Sequence, residues 1–353
     1  MNLLARIGLK VGIGTAVAAL AISAALPAQA VSSPGWRRVD TVHFGAASTY
    51  SQFSAVAALS SNLAWAVGGR GEGGGVPRAY RWTGNGWKTS SLPTGLQGEL
   101  NEISAPSAND VWAVSDQSGF IVHYNGSKWS TATKRFTGDG ELTGVTAFSP
   151  TNVWVFGGPG ASAGYGTWRY NGKTWTKGVR ATKLGIEMAS AVSPKNMWAI
   201  GAVAAGDDSV FHYTGTWTQA KASALSGLQF SDILAQTGTD VWATASLQAN
   251  GFTSYLIHRS SSGWRRFAVP WPVSVGQLTT DGSGGFWLTA FGKAGAAWVL
   301  HRSAAGQWTR KLLVSSGFVT GVARMPGTTS VWATGSADTA TGANAVIWAD
   351  GRV

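Results

Sequence analysis

Short apolar runs, broken by Gly, Asn, Ser, Asp and Pro, recur along almost the whole chain. The stretch Ile103 to Trp129, "ISAPSANDVWAVSDQSGFIVHYNGSKW", shows the plan with three apolar runs, three polar breaks and two tryptophans. Runs this short, rich in Val, Ile and aromatic residues and bounded by turn formers, predict strands rather than helices. No long 3.6-residue pattern follows the first 30 residues, so helix content is expected to be close to nil.

The pattern repeats. "VTAFSPTNVWVFGG", "ASAVSPKNMWAIGA" and "DILAQTGTDVWATA" restate it downstream, and the first tryptophan recurs at Trp65, Trp112, Trp154, Trp198, Trp242, Trp287 and Trp332. The steps between them are 47, 42, 44, 44, 45 and 45 residues. This period suits a four-stranded propeller blade. In each unit the first strand precedes a corner ("ELNEISAP"), and the second holds the first tryptophan ("DVWAV"). The third follows ("GFIVHY"), and the fourth begins at a second tryptophan. The breaks "YNGSKW", "YNGKTW" and "WTGNGW" predict hairpins, because Asn-Gly and related pairs accept positive φ. The expected fold is all-β, a single seven-bladed β-propeller over 31–353. Its blades span approximately 52–93, 98–137, 140–183, 184–225, 226–270, 271–314 and 315–353.

The second tryptophan occurs only six times, at Trp87, Trp129, Trp175, Trp217, Trp264 and Trp308, and the last repeat stops at "AVIWADGRV" without one. Trp36 in "SPGWRRVDTV" supplies the missing member. The segment 33–46 is therefore expected to form the outer strand of the last blade and to close the ring. Fourteen of the 19 tryptophans then occupy the two repeat positions. They are expected to fill the wedges between blades, at a gross gain on the order of 4–6 kcal/mol each. Four of the other five, Trp82, Trp168, Trp298 and Trp348, fall in third strands; Trp271, in "VPWPV" between blades, is expected to serve a surface.

Composition adds two constraints. The absence of cysteine excludes disulfides, thiol catalysis and thiolate zinc sites. Residues 1–30 carry Arg6 and Lys10, a long apolar run and the small-residue site Ala28-Gln29-Ala30, which reads as a signal peptide cut after Ala30. The expected product is secreted, lacks a membrane span and is monomeric. Losing two cations and no acid lowers its formal charge from +11 to +9. That charge suits an anionic cell-surface polymer. The cations are scattered, and the tryptophans lie in the repeat rather than among them, so no nucleic-acid partner is expected.

The unit "L…IS…DVWAV…G.I..YNG..W" resembles tectonin-type and related WD-repeat-like propeller repeats, and the repeats of exported bacterial propellers, over essentially all of 31–353. The resemblance implies a propeller fold and a carbohydrate or lipopolysaccharide ligand. The longer repeat and the Gly/Ala-rich loops between second and third strands depart from that pattern.

Candidate chemistry is sparse. His123, His212, His258 and His301 share one third-strand position, where Arg81 and Arg169 stand in two other repeats. Equivalent residues of a ring cannot converge, so a structural role is expected. "GASAG" around Ser162 has the G-x-S-x-G spacing without the strand–turn–helix that exposes a nucleophile. "GGRGEGGG" at 68–75 lacks the ending of a phosphate loop and reads as a flexible loop. Asp110 and Asp240 should brace the corner before "VW", Asp281 reads as a turn residue, and Asp116, Asp207, Asp208 and Asp338 are expected in loops between second and third strands.

Glu102, Glu187 and Asp232 fall in first strands, the innermost ones, and are expected near the channel mouth with Asn101, Gln277 and Arg324. These six, with Trp271, form the expected ligand site of a non-catalytic protein that recognises a carbohydrate or cell-envelope polymer at the channel face. No cofactor is expected. An extracellular protein-interaction scaffold is the second reading. A polysaccharide lyase or glycoside hydrolase using Glu102, Glu187 or Asp232 is the third.

Overall fold

The structure is a computed structural model that describes residues 35–46, 49–71, 75–115, 119–133, 136, 142–158, 166–178, 184–203, 208–247 and 252–352. Residues 1–30, expected to be a signal peptide, and Asp116, Ser162 and Asp207 lie outside these residues. Among the described residues there are 28 strands, and a 3-10 turn at Ser223–Leu225 is the one helical element.

Repeats 2 to 6 each form a separate four-stranded antiparallel sheet in simple chain order. Repeat 2 is representative, with strands Leu100–Ser107, Asp110–Ser115, Ile121–Tyr124 and Trp129–Thr133. The strands of repeats 1 and 7 share one eight-stranded sheet with the N-terminal strand Arg37–Val42. That strand runs antiparallel to Ala343–Asp350, the third strand of repeat 7, with Arg37 opposite Ala349 and Val42 opposite Ala345. A parallel pair, Tyr50 with Ala343, links repeats 1 and 7 within the sheet.

Second strands are covered on both faces, which is why they read as continuous apolar runs rather than alternating ones. All six residues Asp110–Ser115 are buried, as are Val331–Ala337 of repeat 7. The tryptophans make the cover. The second tryptophan of one repeat meets the first tryptophan of the repeat before it, edge to face. Trp129 lies 5.3 Å from Trp65, and Trp264 lies 5.8 Å from Trp198. Trp87 of repeat 1 meets Trp332 of repeat 7 at 5.0 Å, and Trp36 meets Trp287 of repeat 6 at 5.3 Å. Trp36 thus stands where repeat 7 lacks its own second tryptophan. The first strands touch one another in chain order, and that of repeat 7 also touches that of repeat 1.

Every first strand is bulged near its start. The register shifts fall at Ser54, Asn101, Thr143, Glu187, Ser231, Gly276–Gln277 and Thr320. A bulge re-aims a side chain and sharpens the local twist. Several of these side chains are aimed at the next repeat. Asn101 Nδ2 donates to Leu142 O at 2.9 Å, Thr143 Oγ1 to Ile186 O at 3.1 Å and Thr320 Oγ1 to Phe53 O at 2.5 Å.

Two local expectations are corrected. Gly68–Gly71 are not a loop but the end of strand Leu63–Gly71. A Cβ on Gly68 would sit 2.1 Å from Gln52 O, so glycine is there for close strand approach. Asp208 and Asp338 are also strand residues, the first of Asp208–Tyr213 and the last of Val331–Asp338. Asp338 accepts hydrogen bonds from Tyr50 Oη at 3.2 Å and Ser316 Oγ at 2.6 Å, which ties repeat 7 to the start of repeat 1.

Candidate functional site

The histidines form clamps rather than a site. Each stacks on the first tryptophan directly across the strand pair: His123 on Trp112 at 4.1 Å, His212 on Trp198 at 4.0 Å, His258 on Trp242 at 3.8 Å and His301 on Trp287 at 4.5 Å. A corner residue holds each ring. Asp110 Oδ1 accepts from both Trp112 Nε1 (2.7 Å) and His123 Nε2 (2.8 Å), and Asp240 Oδ1 does the same for Trp242 and His258 at 2.8 and 2.9 Å. Asn196 accepts from His212 at 2.8 Å. Asp281 accepts from His301 at 2.9 Å while its other oxygen closes the turn on the Ser283 and Gly285 amides. Arg81 and Arg169 replace the imidazole by stacking over Trp65 and Trp154 at 5.4 and 5.6 Å.

The seven candidate ligand residues separate into groups. Glu102 and Asp232 each follow the bulge of their first strand, in repeats 2 and 5. Glu102 Oε1 accepts from the Ile103 amide at 2.9 Å. Asp232 Oδ1 accepts from the Ile233 amide at 2.8 Å, and its Oδ2 accepts from Leu278 N of the next repeat at 2.7 Å. Both are half-buried side chains with desolvated carboxyl groups. Burial pushes Glu102 up to about 7, the negative charge of Asp232 adds to the rise, and the Ile103 amide opposes it. Burial also pushes Asp232 up to about 7 against the two amides that stabilise its anion. Repeats 2 and 5 are not neighbours, so this electrostatic contact runs between separate first strands.

Asn101 is committed to the next repeat through Leu142 O, and its buried Oδ1 has no partner among the described residues. Glu187 occupies the bulge of strand Gly185–Ser193, and Gln277 that of Val273–Thr280, both half-buried. Arg324 does not join this group. It ends strand Gly317–Arg324 at the opposite corner, where its guanidinium donates to Thr280 Oγ1 at 3.1 Å and Thr328 O at 2.9 Å. Its place at the far end of the strand, eight residues before Trp332, was readable from the spacing alone. Trp271 is half-buried rather than presented outward, because Arg310 lies between it (5.0 Å) and Trp298 (4.6 Å). Arg310 has a counterpart in repeat 5, where Arg266, also two residues after the second tryptophan, lies over Tyr255 at 5.3 Å; sequence reasoning missed both.

Among the described residues, no group of three or more His, Asp or Glu side chains has the spacing to hold a metal ion. No described helix is long and apolar enough to cross a membrane. The carboxyl pair can form hydrogen bonds in either sense, since groups with a pKa about 7 are present in both protonation states at neutral pH.

No family model matches the chain, and no curated protein matches it. Solved structures do. YCF48 bound to D1 peptide aligns with a TM-score of 0.62 at 13% identity, over 92% of this chain and 99% of the other. Virginiamycin B lyase from Staphylococcus aureus gives 0.63 at 11% identity, over 88% and 98%. The GH74 enzyme of Niastella koreensis gives 0.60 at 15% identity, over 88% of this chain and 55% of that one. At these identities the likeness speaks for the fold, which is that of a β-propeller built from repeated four-stranded antiparallel sheets.

Proposed function

We propose that the chain is a secreted, non-catalytic binding protein with a closed ring of seven four-stranded blades, and that it takes a carbohydrate or cell-envelope polymer at the channel end bearing Glu102 and Asp232. Three contacts support the ring: Trp87 on Trp332, Thr320 on Phe53 O, and Arg37–Val42 paired with the last strand. In such a ring, repeats 2 and 5 face each other across the channel. The tectonin-like character of the repeat and export by residues 1–30 belong to the same proposal.

The observation that carries the binding reading is a pair of desolvated carboxyls, Glu102 and Asp232, held by backbone amides on the bulged first strands of two separate repeats and near enough to interact. That pair suits hydroxyl groups, which both donate and accept. The test is co-sedimentation of residues 31–353 with isolated cell walls and insoluble polysaccharides at low and high salt. Retention at high salt that falls at least tenfold in E102Q/D232N is expected. Retention lost in salt would reduce the affinity to net charge, and no retention would turn the reading to a protein partner.

A further inference from the structure

A cavity of about 620 Å³ lies between repeats 3 and 4, away from the first strands. It opens where the outer strands are shortest: Trp175–Lys177 and Trp217–Gln219 have three residues each, against seven in Trp308–Val314. At the junction of repeats 2 and 3, Phe136 packs between sheets, 5.4 Å from Trp168 and 6.1 Å from Trp175. At the junction of repeats 3 and 4, Gly178 and Leu184 stand on the cavity wall instead.

One wall is a continuous aromatic surface. Trp154 touches Tyr213 at 5.2 Å, and Tyr213 touches Trp217 at 5.1 Å. Phe211, Leu184 and Val203 extend the apolar lining, which contains no charged residue among the described residues. Three buried polar atoms of lining residues have no partner among the described residues: Thr167 Oγ1, Trp154 Nε1 and Trp217 Nε1. Thr167 is fully buried and Trp154 is 5% exposed. Two of these atoms only donate, and the third is a hydroxyl. A buried donor without an acceptor costs on the order of 1–3 kcal/mol, so an acceptor delivered to it is favoured.

We propose that this cavity binds an uncharged, predominantly apolar small molecule carrying one to three hydrogen-bond acceptors, such as a flat ring system with carbonyl or ether oxygens. The volume falls in the range of sites for molecules of that size, roughly 300–1,000 Å³. A sugar fits the lining less well. Its many hydroxyls need paired donors and acceptors, and Leu184, Val203 and Phe211 offer neither.

The probe is Nile red, a neutral flat dye with a carbonyl acceptor, titrated into the purified protein and its variants and followed by the blue shift of its emission. The expected result is saturable binding at one site. Val203, 45% exposed at the cavity, tolerates substitution, and V203W should reduce affinity at least tenfold with an unchanged melting temperature. T167V keeps the shape and removes one hydrogen bond, so about fivefold weaker binding is expected. E102Q/D232N should bind the dye as the parent does, which separates this site from the channel end. Absence of saturable binding, equal affinity in V203W or T167V, or displacement of the dye by cellobiose would overturn the proposal.

Discussion

Asp110 shows how much one corner residue holds. A single buried oxygen accepts from an indole on its own strand and an imidazole on the next strand along the chain, fastening the second and third strands of repeat 2. Asp110→Ala removes both bonds inside a 2%-exposed site and should cost about 2–4 kcal/mol in urea unfolding. Asp110→Asn should cost less, since Asn196 already holds His212 in that role. Asp240→Ala should also cost less, because that side chain is 42% exposed. Glycines separate two physical causes. Gly335→Ala places a Cβ 1.9 Å from Phe318 O, an overpacking expected to cost about 1–3 kcal/mol or more. Gly215→Ala meets nothing within 4 Å and is strained only through its φ of +115°, for about 1 kcal/mol. The corner Asp and the shared histidine position were visible in the sequence as a repeated spacing. Their bonding through one oxygen was not, because it depends on strand register.

At the scale of the element, the bulge of the first strand is the device that joins repeats. Thr320→Val keeps the shape and deletes the bond from repeat 7 to Phe53 O in repeat 1, for an expected loss of about 1 kcal/mol measured by thermal unfolding. The polar residue at this point was readable ten to twelve residues before each first tryptophan. A bulge inserts one residue and reverses which face the next side chains take, so spacing alone placed Asn101 at a ligand site. The structure instead spends its amide on Leu142 O. The same ambiguity led Gly68–Gly71 to be read as a loop, since glycine content marks both flexible turns and close strand approach.

For the whole molecule, the charge state of the inner end sets a pH dependence. The folded pKa values of Glu102 and Asp232 lie above their ordinary values of 4.5 and 3.8, at about 7. Between about pH 4 and 7 the folded chain therefore holds protons that the unfolded chain has released. Their stabilising contribution is complete below the unfolded values and is lost as pH rises through 7. Stability should fall across that window, and E102Q/D232N should flatten the fall, measured by urea unfolding at pH 5 and pH 8. Removal of residues 1–42 would leave Ala343–Asp350 unpaired on one edge and Trp287 uncovered by Trp36. The truncated chain is expected to associate through that edge, seen as high-mass species in size-exclusion chromatography.

What the sequence determined by itself is the local and periodic part: four strands per repeat, the two tryptophan positions, the near absence of helix and the pairing of the N-terminal segment with the last repeat. These follow from short apolar runs bounded by turn formers and a recurrence near 44 residues, which need no knowledge of neighbours. Tertiary structure alone decided which polar groups remain available. Glu102 and Asp232 interact electrostatically only because their separate strands are brought together, and Arg310 caps Trp271 only because an outer strand passes beside a connection some 40 residues earlier. The cavity between repeats 3 and 4 depends on short outer strands meeting face to face, a gap that no stretch of sequence contains.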